Sequence, residues 1–141
     1  MAPPSPRGGR DIGETPLVLV VDDDERNRRL AGDVLRLAGL RTLEAATGAE
    51  AIAIASAELP DLVLLDLQLP DLDGVQVVRE LRAGARTAEI PVVALSALRL
   101  DGREEWLREA GFDAYLAKPI DVAEFPRVVR GYCSVGRRAG A

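Results

Sequence analysis

The chain has no histidine and one cysteine, Cys133, among its 141 residues. These scarcities exclude a Cys/His zinc centre and an internal disulfide framework, and they suit a reducing compartment, so a cytoplasmic location is expected. No apolar run approaches the roughly 20 residues of a membrane-spanning helix, and the opening residues lack the apolar stretch of a secretion signal. No dense block of Lys and Arg interrupts a formal net charge of −5. Electrostatic attraction to nucleic acid is therefore weak, and a direct DNA-binding role is not expected. No internal repeat is evident.

What the chain does contain is strict alternation. Residues 1–15, rich in Pro, Gly and Arg, have no apolar period and read as a disordered leader, and 133–141 reads as a flexible tail. One folded domain is expected over 16–132. Residues 17–21, 62–65 and 92–95 are continuous apolar runs of strand length, as central parallel strands covered on both faces require, whereas 41–45 alternates and suits a sheet edge. Between them lie segments with helical spacing: Leu30, Val34, Leu37 and Ala38; Ile52 with its alanines; Val75, Val78 and Leu81; Trp106, Leu107 and Ala110. Thr47 with Glu50, Asp73 with Gln76, Asp101 with Glu104 and Asp121 with Glu124 each resemble a capping box, and Gly39 and Gly111 stand where helices should stop. The order βαβαβαβαβα implies right-handed crossovers and a three-layer α/β sandwich.

In open parallel sheets functional residues gather beyond the carboxyl ends of the strands, where strand order reverses. The apolar runs end in Asp22 and Asp23, in Asp66, in Ser96, and, after AYLA, in Lys118 and Pro119. A strand order of 2-1-3-4-5 places Asp23 beside Asp66. Three carboxylates in one pocket repel unless a cation compensates, and oxygen ligands without histidine or thiolate favour Mg²⁺. Asp24 reads as a helix cap instead. Taken singly, an acidic pair before a helix, a surface lysine and a strand-end serine have ordinary structural explanations; their shared position and order outweigh these. Asp66 emerging from the core can attack phosphorus to form an acyl phosphate, with Lys118 as a point charge and Ser96 as a donor from the opposite side.

The segments VVDD, LLDLQLPDLDG, PVVALSA and AKP, in this order, resemble the receiver domain of two-component response regulators over roughly residues 16–132. The resemblance implies a flavodoxin-like (βα)5 fold with a five-stranded parallel sheet and a stand-alone signalling domain. It implies that Asp66 is the phosphoacceptor, that Asp22, Asp23, Asp66 and the backbone carbonyl of Gln68 hold Mg²⁺, and that Leu67, Ala97 and Lys118 meet the phosphoryl oxygens. Ser96 matches the Ser/Thr switch, Tyr115 the aromatic switch, and Pro119 the residue after the family's cis peptide. The donor would be a histidine kinase or histidine phosphotransfer protein, since this chain has no histidine of its own. The implied output is binding of a downstream target protein, with no nucleic-acid or membrane partner, by a monomer or a weak phosphorylation-dependent dimer. Such a domain is a phosphoacceptor that catalyses its own phosphorylation and dephosphorylation rather than an enzyme acting on other substrates. Gln68 and Leu98, two residues beyond Asp66 and Ser96, would tune the lifetime of the phosphorylated state. A haloacid-dehalogenase-like phosphohydrolase is the alternative, but it needs a second acid where Gln68 stands.

Pro126 would fall about five residues into a last helix capped by Asp121, so that helix is expected to begin late or to kink, with Pro126 in its first turn. Gly131 is expected to cut it short. That makes a dimer through the fourth helix, fifth strand and fifth helix doubtful, although Arg127 and Arg130 could form charged contacts there. Trp106, the sole tryptophan, is expected to pack into the core with Leu107 and Ala110; if exposed instead, it is a candidate anchor on a signalling surface.

Overall fold

The apolar runs pair side by side into one parallel sheet. The computed structural model describes residues 15–96, 102, 104–118 and 121–135. Its strands are β1 (Leu17–Val21), β2 (Arg41–Ala45), β3 (Leu62–Asp66), β4 (Val92–Ser96) and β5 (Ala114–Ala117). They alternate with helices α1 (Glu25–Leu37), α2 (Gly48–Glu58), α3 (Gly74–Ala83), α4 (Glu104–Ala110) and α5 (Phe125–Val135). The sheet order is β2-β1-β3-β4-β5, so the alternating segment is an edge strand, as its pattern predicts.

The two-residue pleat divides the core. Leu19 and Val21, Val63 and Leu65, Val92 and Ala94 pack under α2, α3 and α4, while Val18 and Val20, Leu62 and Leu64, Val93 and Leu95 pack under α1 and α5. Every residue of β1, β3 and β4 is buried, which explains why their sequences are apolar without alternation.

Side chains hold the helix starts. Asp24 accepts from the amides of Arg26 and Asn27, confirming its capping role. Asp73 and Gln76 form a complete capping box. Thr47 accepts from the Glu50 amide, but the Glu50 carboxylate reaches back to the amide of Ala46 rather than of Thr47. Asp71, from the β3–α3 connection, takes the Gly48 and Ala49 amides, and these hydrogen bonds hold its carboxyl below the usual value of 3.8. Asp101 lies outside the described residues. Gly39 and Gly111 adopt positive φ at helix ends, as expected, and Leu59 does the same after α2.

Three expectations about faces and ends are corrected. The buried stripe of α1 is Ala31, Val34 and Leu35, whereas Leu30 and Leu37 are exposed, because small Ala31 and Gly32 let the helix approach the sheet. Trp106 is 48% exposed, and Leu107 alone of its helix is buried. Gly131 does not end α5: the helix continues to Val135 and seats Cys133 in the α1/α5 core, past the boundary expected at 132. The expectation for Pro126 holds. Asp121 caps a preceding turn, the helix begins at Phe125, and Pro126 lies in its first turn, where a missing N–H costs little.

At the amino-end edge of the sheet, opposite the carboxyl ends that carry Asp66 and Ser96, Arg82 of α3 ties several segments together. Its guanidinium donates to the carbonyls of Ala88, Ile90 and Gly111 and to the carboxylate of Asp113, which also accepts from the Val92 amide.

Candidate functional site

Asp22 directly follows β1 and Asp66 ends β3, neighbouring strands whose register pairs Val21 with Leu65. Both continue the series whose earlier members, Val18 and Val20 or Leu62 and Leu64, face α1 and α5. Lys118 continues the series of Ala114 and Leu116, which pack on the same side. Pleat parity thus delivers all three side chains to one place from strands far apart in sequence. The Lys118 ammonium donates to Asp22 Oδ2 at 2.8 Å and to Asp66 Oδ2 at 3.2 Å. Ser96 has the opposite parity. It is buried at the end of β4, and its carbonyl accepts from the Lys118 amide at 2.8 Å.

Carboxylate oxygens of Asp22, Asp23 and Asp66 lie within 4.8 Å of one another, with Asp23 exposed and the other two buried. Asp22 is immobilised at every polar atom: its amide donates to the Ala45 carbonyl, Oδ1 accepts from the Asp24 amide, Oδ2 from Lys118, and its carbonyl from Arg28. Asp66 Oδ1 accepts from the Gln68 amide at 3.0 Å.

Burial pushes the Asp66 carboxyl above the usual 3.8. The Asp22 charge adds to that rise, against the opposing pull of the Gln68 amide and Lys118. For Lys118, burial acts to lower the pKa, but the hydrogen bond to Asp22 and the charges of Asp66 and Asp22 outweigh it and hold the ammonium above 10.5. The Lys118 ammonium thus contacts two of three clustered carboxylates, and burial raises the pKa of one of these two, Asp66. A hard divalent cation fits this donor set: all ligands are oxygens, they converge, and their charge is under-compensated.

The remaining expected residues are less central. The Leu67 amide donates to the Leu95 carbonyl at 3.1 Å, extending the β3–β4 ladder one step past the strands. Gln68 is exposed beside Asp66. Tyr115 is half-buried, and its hydroxyl lies 3.5 Å from Glu104 of α4. Ala97, Leu98 and Pro119 lie outside the described residues. Two residues with roles at the site were not apparent in the sequence. Arg28 looks like any surface arginine of an amphipathic helix until its hydrogen bond to Asp22 is seen. Gly74 has its Cα turned so that an added Cβ would lie 2.9 Å from Leu67 Cδ2, 3.0 Å from Leu67 Cα and 3.3 Å from the Asp66 carbonyl oxygen. Because part of that obstruction is backbone, Gly74→Ala is expected to cost about 1–3 kcal/mol and to displace the Asp66–Leu67 peptide. Urea unfolding and the rate of phosphorylation by acetyl phosphate, measured together, would check both effects.

The response regulator receiver domain model matches residues 18–130. The polar-differentiation response regulator DivK of Brucella ovis is 36% identical over 118 residues, covering 84% of this chain and 96% of that protein. Among solved structures, the receiver domain of sensor histidine kinase PA1611 from Pseudomonas aeruginosa PAO1, determined with magnesium coordinated in its active-site cleft, superposes with a TM-score of 0.77. It is 34% identical and covers 86% of this chain and 99% of that one. The chemotaxis response regulator CheY4 of Vibrio cholerae, 24% identical with a TM-score of 0.79 over 84% of this chain and 99% of that one, shares the fold. With the sheet order, the acidic cluster at its switch point and these likenesses in agreement, the chain belongs to the response regulator receiver domain family of two-component signalling.

Proposed function

We propose that Asp66 accepts a phosphoryl group from the histidine of a kinase or phosphotransfer protein, in a cytoplasmic signalling step that changes which protein this chain binds. The observation that carries this reading is the Lys118 ammonium bridging Asp22 and Asp66 at the switch point of the sheet. An Asp66 carboxylate oxygen forms the bond to phosphorus as the phosphorus–nitrogen bond breaks, its electron pair returning to the donor imidazole. Phosphoryl transfer needs alignment and charge neutralisation more than proton chemistry. Lys118 provides one positive charge next to the reacting carboxylate. Asp22, Asp23, Asp66 and the Gln68 carbonyl would hold Mg²⁺, the ion present in the Pseudomonas receiver domain. When bound, it supplies Lewis-acid neutralisation of the phosphoryl oxygens.

The phosphoryl group then offers acceptors to Lys118, to the Ser96 hydroxyl and to the Ala97 amide, whereas the Leu67 amide would have to give up or share its bond to the Leu95 carbonyl to serve as a further donor. Drawing Ser96 toward the group frees space that Tyr115 takes up, shifting the population toward the target-binding form. Trp106, exposed on the same helix as the Glu104 partner of Tyr115, supplies an aromatic anchor for the target protein. The chain then hydrolyses its own acyl phosphate, with water entering past Gln68 and Leu98. Substituting Gln68 is accordingly expected to change the decay rate of the phosphorylated form more than Mg²⁺ affinity, and equal lifetimes across a series of substitutions would count against that assignment.

The test is intact-mass measurement after treatment with acetyl phosphate, with Mg²⁺ or with EDTA. A single phosphoryl adduct, dependent on Mg²⁺ and mapped to the Asp66 peptide, is the expected result. If hydrolysis outpaces detection, beryllofluoride with Mg²⁺ should shift the Ser96 and Tyr115 amides in NMR spectra. Absence of both responses would overturn the proposal.

A further inference from the structure

The acidic pair is held by a device that lies outside it. Arg28, the fourth residue of α1, donates from Nη1 to the carbonyl oxygen of Asp22 at 2.8 Å and from Nε to Glu44 Oε1 at 3.0 Å. Its side chain is 16% exposed and that of Glu44 36%, so the contact is partly shielded from water. Glu44 belongs to the edge strand β2, next to Ala45, whose carbonyl accepts the Asp22 amide. The peptide joining Asp22 to Asp23 is planar, so fixing its carbonyl also fixes the direction of its N–H and the position of the Asp23 Cα. Asp23 needs such external support: it is exposed, whereas Asp22 is locked through its own side chain by Asp24 and Lys118.

We infer that Arg28, anchored by Glu44, is a positioning residue that aims Asp23 at the cation site. This rests on the reading of Asp22, Asp23 and Asp66 as the magnesium ligands. Arginine suits the task because its rigid fork serves the carbonyl and the carboxylate together, which a lysine ammonium cannot do in the same geometry. Partners that orient metal ligands from outside the coordination shell typically influence affinity by 10–100-fold.

The experiment is an NMR titration of Mg²⁺ into the full chain and its variants, combined with backbone relaxation of the metal-free forms. Arg28→Gln is expected to weaken Mg²⁺ about 10-fold and to lower the order parameter of the Asp23 amide from about 0.85 toward 0.6. Arg28→Lys should recover part of the affinity. Glu44→Gln should weaken binding in the same direction, and the double variant should lose less than the sum of the two, since both residues act through one contact. Unchanged Mg²⁺ affinity in Arg28→Gln, or an Asp23 amide as ordered as in the wild type, would overturn the inference. A loss of unfolding free energy without a change in either readout would reduce the contact to a brace for the fold and overturn it equally. Should the wild type bind no Mg²⁺, the magnesium reading fails, and the order of the Asp23 amide still decides whether Arg28 holds that peptide.

Discussion

Asp66→Asn is expected to abolish the phosphoryl adduct and, in EDTA, to raise the unfolding midpoint at neutral pH. The first effect follows from replacing the nucleophilic carboxylate by an amide of the same shape, whose oxygen can still accept from the Gln68 amide. The second follows from linkage. Burial, reinforced by the Asp22 charge, raises the Asp66 pKa from 3.8 despite the opposing hydrogen bonds from Gln68 and Lys118. A carboxyl with a raised pKa binds its proton more tightly in the folded than in the unfolded chain. Its favourable contribution is therefore full below 3.8 and is lost as pH rises through the raised value. Asparagine does not titrate, so the variant escapes that loss; the gap between the proteins opens across this window, stays constant above it and closes below it. Excess Mg²⁺ should favour the wild type, which gains about 2.7 kcal/mol at a hundredfold excess over its dissociation constant. Urea unfolding from acid to neutral pH, with and without Mg²⁺, reads both effects. A metal-free variant no more stable than wild type at pH 7 would contradict the argument.

Lys118→Met should act in the opposite direction and more strongly. It removes the ammonium from between two buried carboxylates, with side-chain exposures of 3% for Asp22 and 10% for Asp66. Breaking a buried pair while leaving its charges in place costs roughly 3–5 kcal/mol. The Lys118 pKa lies above 10.5: burial, which would lower it, is outweighed by the hydrogen bond to Asp22 and the charges of Asp66 and Asp22. Its stabilising contribution is thus complete below 10.5 and disappears only as pH rises through the raised value. At low pH the deficit should shrink as Asp66 takes up its proton, and Mg²⁺ should restore part of it by supplying the missing charge. Phosphorylation by acetyl phosphate should slow by roughly 10²–10³-fold, the usual loss when one donor to a developing anion is removed. A metal-free unfolding free energy within about 1 kcal/mol of wild type would put Lys118 among weak surface pairs and remove its assigned role.

The site was more legible in the sequence than the surfaces around it, and the reason lies in the pleat. Uninterrupted apolar runs mark buried parallel strands, and the first polar residue after each run must lie at the sheet edge. Asp22, Asp66, Ser96 and Lys118 therefore disclosed their place before any contact was known. Helix faces are harder to read. Leu30, Val34 and Leu37 (i, i+4, i+7) and Ala31, Val34 and Leu35 (i, i+3, i+4) both fit one helical face, and only the close fit of α1 against the sheet chooses the second set. Trp106 was misplaced for a related reason: its helix buries little besides Leu107, so a large apolar residue there need not be core. Gly131 weakens a helix in isolation, but Val129 and Cys133 on either side of it are seated in the core and carry α5 through. Arg28 and Asp71 were invisible because their partners are a backbone carbonyl 6 residues away and amides 22 and 23 residues away.

The Arg82 guanidinium gathers the carbonyls of Ala88, Ile90 and Gly111 with Asp113, all beside the amino ends of β4 and β5. β4 carries Ser96 and β5 leads to Lys118 at the opposite rim. Lys118 ties the far end of β5 to Asp22 and Asp66, so the two strands are held at both ends, by a guanidinium at their start and by an ammonium beside the carboxylates. Loosening Arg82 would release the starts of both strands at once, since one guanidinium holds Ile90 before β4 and Asp113 before β5.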